Sequence, residues 1–295
     1  MVHHLSIVAH LVRSSSFCRV FSMKSAKHIS SIDNPVVKRI RANLEGGHKA
    51  QKVRQESSLA IAEGIHLLQA WLGSSDLHEI YTTEAGLAMP EVLAAINTQL
   101  AVQPQTVLYL LEDSLWKKVT ELVNAPPVMA AIKINQPQFP LQYTDDLVVL
   151  DGLQDAGNVG SIMRTAAAAG IKHIICMKGT AQAWTVKVLR AAMGAHRHLC
   201  IHEAWTLNDL REKVRIPFYA THLEAEMNLY DLGAELLQPK AWVFGNEGQG
   251  VSPELMAISR GIYIPQESCI ESLNVASAVA ICLFETVRIK HHSDS

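Results

Sequence analysis

A chain of 295 residues with 48% hydrophobic and 18% charged residues can bury the cores of two ordinary domains, which excludes a disordered or low-complexity protein. Its net charge of −2 does not mark a nucleic-acid binder in bulk, and no apolar run approaches the length of a membrane-spanning helix. The five cysteines (Cys18, Cys176, Cys200, Cys269, Cys282) are scattered without CxxC spacing, which argues against a zinc site and fits a reducing, cytoplasmic setting.

Residues 1–22 carry Arg13, Arg19, several serines and no acid. They are expected to form an extension outside the fold. A start upstream of the native Met23 is the preferred account, and an organelle-targeting peptide is the alternative. From Lys24 to Arg54, eight Lys/Arg stand against two acids; from Gln55 to Ala125, nine acids stand against two lysines. A basic arm ahead of an acidic body can draw phosphates. On charge alone, a solvated Lys-rich helix is the stronger account.

Strand-like and helical patterns then alternate. Residues 57–63 read as a strand, 64–72 as a helix, and 79–82 as a strand. Residues 90–100 read as a helix opened by Pro90. They are followed by a strand at 107–111, a helix at 113–122 and a strand at 128–134. This is the pattern of an α/β domain, placed at 23–134. Residues 135–146, with Pro137 and Pro140, read as an interdomain linker.

A second α/β domain is expected over 147–295. Residues 147–150 form an apolar strand of the kind buried on both faces. An Ala-rich helix follows at 161–169 and a strand at 171–176. Residues 209–214 lie in a helix, with strands at 218–221, 241–244 and 262–264. The last helix, 272–290, is apolar on more than one face, through Val275, Val279, Ile281 and Phe284 among others, and should be buried on more than one side.

Three stretches carry the chemistry. The first, Asp151-Gly-Leu-Gln-Asp-Ala-Gly-Asn-Val-Gly-Ser-Ile-Met-Arg, turns from a buried strand into a helix starting near Asn158. Ligands bind at such strand ends. Asn158 and Arg164 can point to a similar side, and an Arg on so apolar a helix needs an anionic or carbonyl partner. A helix-capping Asn and an interhelical ion pair account for them equally well. The second, Gly245-Asn-Glu-Gly-Gln-Gly, follows an apolar strand and lets backbone approach a ligand. Its glycine spacing is not that of a dinucleotide fingerprint, and no Gly-Lys-Ser/Thr follows, so a nicotinamide site and a P-loop are both rejected. The third, Ile264-Pro-Gln-Glu-Ser-Cys-Ile-Glu-Ser-Leu-Asn-Val, runs from a strand into the last helix, where Ser272 or Asn274 can serve as a cap.

Taken in order, these stretches resemble the three motifs of the SpoU/TrmH family (SPOUT superfamily) of RNA 2′-O-ribose methyltransferases. Ser31-Ile-Asp-Asn-Pro-Val-Val-Lys and Ala62-Glu-Gly-Ile-His-Leu-Leu look like parts of that family's substrate-binding domain, whose fold resembles ribosomal proteins that bind kinked RNA. The resemblance covers nearly everything after Met23. It departs at Gln266, where Met is usual, and at Ala192, where Ser is common.

The resemblance implies a fold: a ribosomal-protein-like α/β RNA-binding domain followed by a SPOUT α/β domain with a deep trefoil knot. It implies S-adenosylmethionine as cofactor, no metal, and a homodimer whose sites are completed by the partner chain. The cofactor would be held by Gly245, Asn246, Glu247, Gly248, Ile264, Pro265, Ser272, Leu273 and Asn274. Arg164 would clamp a phosphate and stabilise the developing alkoxide. Asn158 and Asn274 would orient Arg164 or the ribose, Glu247 would hold the loop or touch substrate, and Ser272 would cap the last helix and hydrogen-bond within the site. Lys38, Arg39, Arg41, Lys49, Lys52 and Arg54, with Arg164, would contact RNA, expected to be ribosomal. A tRNA ribose methyltransferase and a catalytically silent RNA-binding protein are the alternatives.

Overall fold

The computed structural model describes residues 26–122, 124–135 and 145–293. The extension 1–22 and most of the expected linker lie outside them. The first sheet has strands β1 (Lys27–Ile29), β2 (Leu59–Glu63), β3 (Leu77–Thr82), β4 (Val107–Leu111) and β5 (Val128–Lys133), in the order β1-β4-β3-β5-β2. Strands β1, β4 and β3 run parallel, and β5 is antiparallel to β3 and β2. Around it lie α1 (Pro35–Glu45), α2 (Gly47–Ser57), α3 (Ile65–Trp71), α4 (Glu84–Leu87), α5 (Pro90–Val102) and α6 (Asp113–Trp116). Side chains alternate across the sheet: Ile61, Tyr81 and Met129 pack with Val37 and Ile40 of α1. Ala60, Ile80 and Ile132 turn the other way, toward α3 and α5.

The second sheet is parallel throughout. It contains β6 (Leu147–Asp151), β7 (His173–Met177), β8 (Cys200–Trp205), β9 (Phe218–Thr221), β10 (Met227–Asn228), β11 (Ala241–Gly245) and β12 (Ser259–Tyr263), in the order β10-β12-β9-β11-β6-β7-β8. Its helices are α7 (Ala156–Ala168), α8 (Val186–Ala192), α9 (Leu207–Lys213), α10 (Pro253–Met256) and α11 (Val275–Ser293). Val148, Leu150, Trp242 and Phe244 share a core with α7 and α11. Leu147, Val149, Ala241 and Val243 pack with Leu210 and Leu255 on the opposite face. Cover on both faces is why these strands read as unbroken apolar runs. The first core also takes in Leu68, Trp71 and Ile96, so one apolar cluster passes between the two units.

Four expectations change. The helix expected over 113–122 stops at Trp116. The buried Glu63 carboxylate captures the chain beyond it, accepting from Thr120 Oγ1 at 2.6 Å and from the amides of Glu121 at 3.0 Å and Leu122 at 3.4 Å. Helix α7 starts at Ala156, capped by Asp155, whose Oδ1 accepts the Asn158 amide at 2.7 Å. Asn158 is therefore not the cap. Helix α11 starts at Val275, and Asn274 Oδ1 accepts the Ala276 amide at 2.9 Å. Ser272 lies before the helix and does not cap it. Strand β12 ends at Tyr263 rather than Ile264. Strand β8 and helix α8 were not anticipated. The strand carries His202, Glu203 and a left-handed Ala204 (φ 58°) that break alternation, and the helix has only seven residues.

Candidate active site

Strands β9, β11 and β12 are neighbours and end on one edge of the sheet. The loops that leave them, residues 221–224, 245–250 and 264–274, enclose a cleft of about 650 Å³. Ile262, Ile264 and Leu273 give it apolar walls; Thr221, Asn246, Gln266, Ser272 and Asn274 give it polar ones.

The glycine loop is fixed before any ligand arrives. Asn246 Oδ1 accepts the amides of Gly248 at 2.9 Å and Gln249 at 3.2 Å, and its Nδ2 donates to the Gly152 carbonyl at 2.9 Å. The Asp151 carboxylate accepts the Ser252 amide at 2.7 Å, tying the loop to the end of β6. A Cβ on Gly245 would lie 2.0 Å from the Gly250 carbonyl carbon and 2.1 Å from the Val251 nitrogen. This glycine is required by the loop's own closure, beyond the approach of a ligand.

The three sequence motifs meet at the lip of this cleft. Asn158 Nδ2 donates to Glu247 Oε1 at 2.9 Å, and Asn274 Nδ2 donates to Asn158 Oδ1 at 3.1 Å. One hydrogen-bonded chain thus links α7, the glycine loop and the cap of α11. Of the expected cofactor residues, Gly245, Asn246, Glu247, Gly248, Ile264, Ser272, Leu273 and Asn274 line the cleft, and Pro265 does not. Residues 221–224 were missed. They carry no glycine pattern, and only the pairing of β9 between β11 and β12 brings them in. Glu224, Glu247 and Glu271 line the cleft, and no Lys or Arg does among the described residues. Such a surface suits a cationic ligand with an apolar heterocycle.

Arg164 is elsewhere. A step of six residues turns a helix by about 600°, which leaves Asn158 and Arg164 roughly 120° apart rather than on one side. Exposed, it borders a separate groove of about 430 Å³ with Ala167, Met193, Gly194 and His198.

The basic arm forms α1 and α2. Lys38, Arg41, Lys49 and Lys52 are exposed and, among the described residues, make only surface pairs with Asp33, Glu45 and Glu56. Such pairs are worth little and can be exchanged for phosphates. Two assignments do not survive. Arg39 is held by Glu79 and by the Tyr81 hydroxyl at 2.9 Å, fastening α1 to β3. Arg54 is buried and donates to Gln182 Oε1, and burial lowers its pKa although Glu203 opposes the shift. Neither guanidinium is presented to RNA.

A parallel α/β sheet with a backbone-built cleft at its strand ends suits a small-molecule ligand, and its glycine spacing is not that of a Rossmann fingerprint. The SpoU rRNA Methylase family profile matches residues 146–284. An uncharacterized tRNA/rRNA methyltransferase of Synechocystis sp. is 32% identical over 267 residues, 88% of this chain and 93% of that one. The 23S rRNA (guanosine(2553)-2′-O)-methyltransferase RlmP of Bacillus subtilis is 29% identical over 79% of this chain and 90% of its own length. An AdoMet-bound rRNA methyltransferase from Sinorhizobium meliloti superposes with a TM-score of 0.73 at 26% identity, covering 90% of this chain and 98% of that one. The chain belongs to the SpoU rRNA methylase family. It is an RNA 2′-O-methyltransferase that uses S-adenosylmethionine.

Proposed function

We propose that the substrate is ribosomal RNA and that the working unit is a homodimer in which a partner's cleft meets Arg164. The observation that carries this reading is the Glu247–Asn158–Asn274 chain, which joins all three motifs at a cleft with no arginine among its described lining residues. Helix α11 supports the dimer, since Phe284 is 47% exposed beside the partly buried Ile281. The rRNA target is supported by the names of relatives that match most of the chain.

The bound sulfonium supplies an already activated methyl group. The cleft fits such a donor: loop backbone at 245–248 and the walls at Ile264 and Leu273 would hold adenosine, and the carboxylates suit its positive charge. What remains for this chain is alignment and charge. Arg164 clamps the phosphate next to the target ribose and stabilises the developing alkoxide, while the phosphate or a water takes the hydroxyl proton. A guanidinium carries five N–H donors and no acceptor, which makes it a poor base. Asn158 and Asn274 hold the lip of the site, and Glu247 anchors the glycine loop to α7. Lys38, Arg41, Lys49 and Lys52 present the RNA face. Two sheets joined by the segment 135–146 form an RNA-binding unit and a catalytic unit. The trefoil knot belongs to this reading, in which the 245–250 and 264–274 loops line one cleft.

The test is to map 2′-O-methylation across total RNA with and without the gene. Loss of a ribosomal site is expected; loss confined to tRNA would move the substrate. Light scattering at micromolar concentration should give a dimer, and a fully active monomer would overturn that assignment.

A further inference from the structure

The N-terminal unit grips residues 182–197 of the catalytic unit. Arg54 of α2 donates to Gln182. Val186 is buried in the cluster around α1 and β2. Arg190 Nη2 donates to Glu63 Oε2 at 3.0 Å, where the Glu63 side chain is 1% exposed. Gly194 presses on α3 so closely that a Cβ would lie 2.6 Å from Ala70 Cβ, and Arg197 Nη1 donates to the Ala70 carbonyl at 2.6 Å. The same segment supports the catalytic helix. A Cβ on Gly160 of α7 would lie 2.5 Å from Ala191 Cβ and 2.6 Å from the Val188 carbonyl oxygen of α8. Gly160 stands between Asn158 and Arg164.

Among these grips, Glu63–Arg190 pairs two charges, with the carboxylate removed from water. Desolvation cancels much of the attraction in such a pair, so it is poor glue. Its geometry, however, is fixed in advance. Thr120 and the amides of Glu121 and Leu122 already hold the Glu63 carboxylate, and a second carboxylate, Glu121, lies 3.9 Å from the same guanidinium. Apolar contacts such as Val186 or Gly194 against Ala70 resist separation but tolerate sliding. A directed charge pair between them does not.

We propose that Glu63 and Arg190 are positioning residues for methyl transfer: their ion pair sets the angle between the RNA face on α1 and α2 and the helix that carries Arg164. This rests on the methyltransferase reading above and adds a requirement within one chain. RNA held on the arm would present its ribose correctly only while α8 is locked to β2.

The test compares full-length Arg190→Met, Glu63→Gln, the double variant and Arg190→Lys in single-turnover methylation with RNA and donor both saturating. Glutamine keeps an acceptor for the Glu121 and Leu122 amides while losing the charge. Each of the first two variants should lose at least tenfold in rate, with RNA and donor affinities within threefold of the parent. The double variant should fall no further than the worse single one, and Arg190→Lys should recover part of the loss. Small-angle scattering should show a changed arrangement of the two units in Arg190→Met. Rates within threefold of the parent, effects that multiply in the double variant, losses carried wholly by RNA affinity, or unchanged scattering would overturn the proposal. If Arg190→Met fails to fold, Glu63→Gln and Arg190→Lys carry both measurements. A parent inactive on every RNA would sink the proposed function, and scattering would still decide whether the pair sets the angle.

Discussion

The cleft at 245–250 and the groove at Arg164 are built on opposite principles. In the cleft, the glycine loop is closed by hydrogen bonds from its own chain, and Gly245 leaves no room for even a methyl group. At the groove, Arg164 is exposed and makes no hydrogen bond or ion pair among the described residues. On the proposed reading, donor binding is a property that one chain can complete, whereas Arg164 waits for substrate or a partner.

The sharpest way to break the contrast is at Gly245. Gly245→Val forces the loop open, because its side chain would occupy the space of the Gly250–Val251 backbone. Calorimetry should show the affinity for S-adenosylmethionine falling by roughly a hundredfold or more, a loss of ~3 kcal/mol. RNA binding through α1 and α2 should persist. Unchanged donor affinity would mean that the loop is not the donor's seat.

Arg164→Ala should do the converse. Single-turnover transfer should lose about 2–4 kcal/mol of transition-state stabilisation, by analogy with lost oxyanion donors, while donor affinity stays the same. Arg164→Lys should rescue poorly, since an ammonium cannot make the bidentate fork. A rate within a few-fold of the parent would make Arg164 a structural residue.

Acid should strike the groove side before the cleft. His196 is fully buried beside Trp184, its Nε2 bonded to the Ala183 carbonyl at 2.8 Å, and burial lowers its pKa to about 4. The unfolded chain takes up a proton near pH 6.5 and the folded one does not, so stability falls as pH drops from about 6.5 toward 4. The contribution of His196 over that window is on the order of 3 kcal/mol. Thermal unfolding between pH 7 and pH 4 should show the fall; burial lowers the pKa of His202 to about 4 as well, so His196→Asn should reduce the fall rather than abolish it. A parallel fall in the variant would assign the effect to other groups.

The smallest effect belongs to the arm. Replacing Lys38, Arg41, Lys49 and Lys52 with serine should weaken RNA binding and shallow its salt dependence by about 0.7–0.9 for each phosphate that is no longer neutralised. Replacing Arg39 or Arg54 should instead lower the melting temperature, because each is engaged in packing. An unchanged salt slope would leave the arm a solvated face.

Local patterns made much of this legible. The apolar strands at 147–150 and 241–244 and the glycines at 245, 248 and 250 read correctly because strand burial and tight loop closure leave their mark on adjacent residues. Asn158, Glu247 and Asn274 were named as site residues by family resemblance, and the structure joins them by hydrogen bonds. Capping was the weak point. Asp155 and Asn274, not Asn158 and Ser272, hold the helix starts. Several residues near each start could have capped, and only backbone geometry selects among them.

The two α/β units, the parallel core and the order of the three motifs are written in the amino-acid sequence, because each depends on side-chain periodicity or on residues close along the chain. Long-range packing was needed to bring residues 221–224 into the cleft and to tie Arg39 and Arg54 to partners far along the chain. It alone carries Glu63 to Arg190 across 127 positions. Those outcomes depend on which strands become neighbours and which charges are removed from water, and neither is encoded in any short stretch of residues.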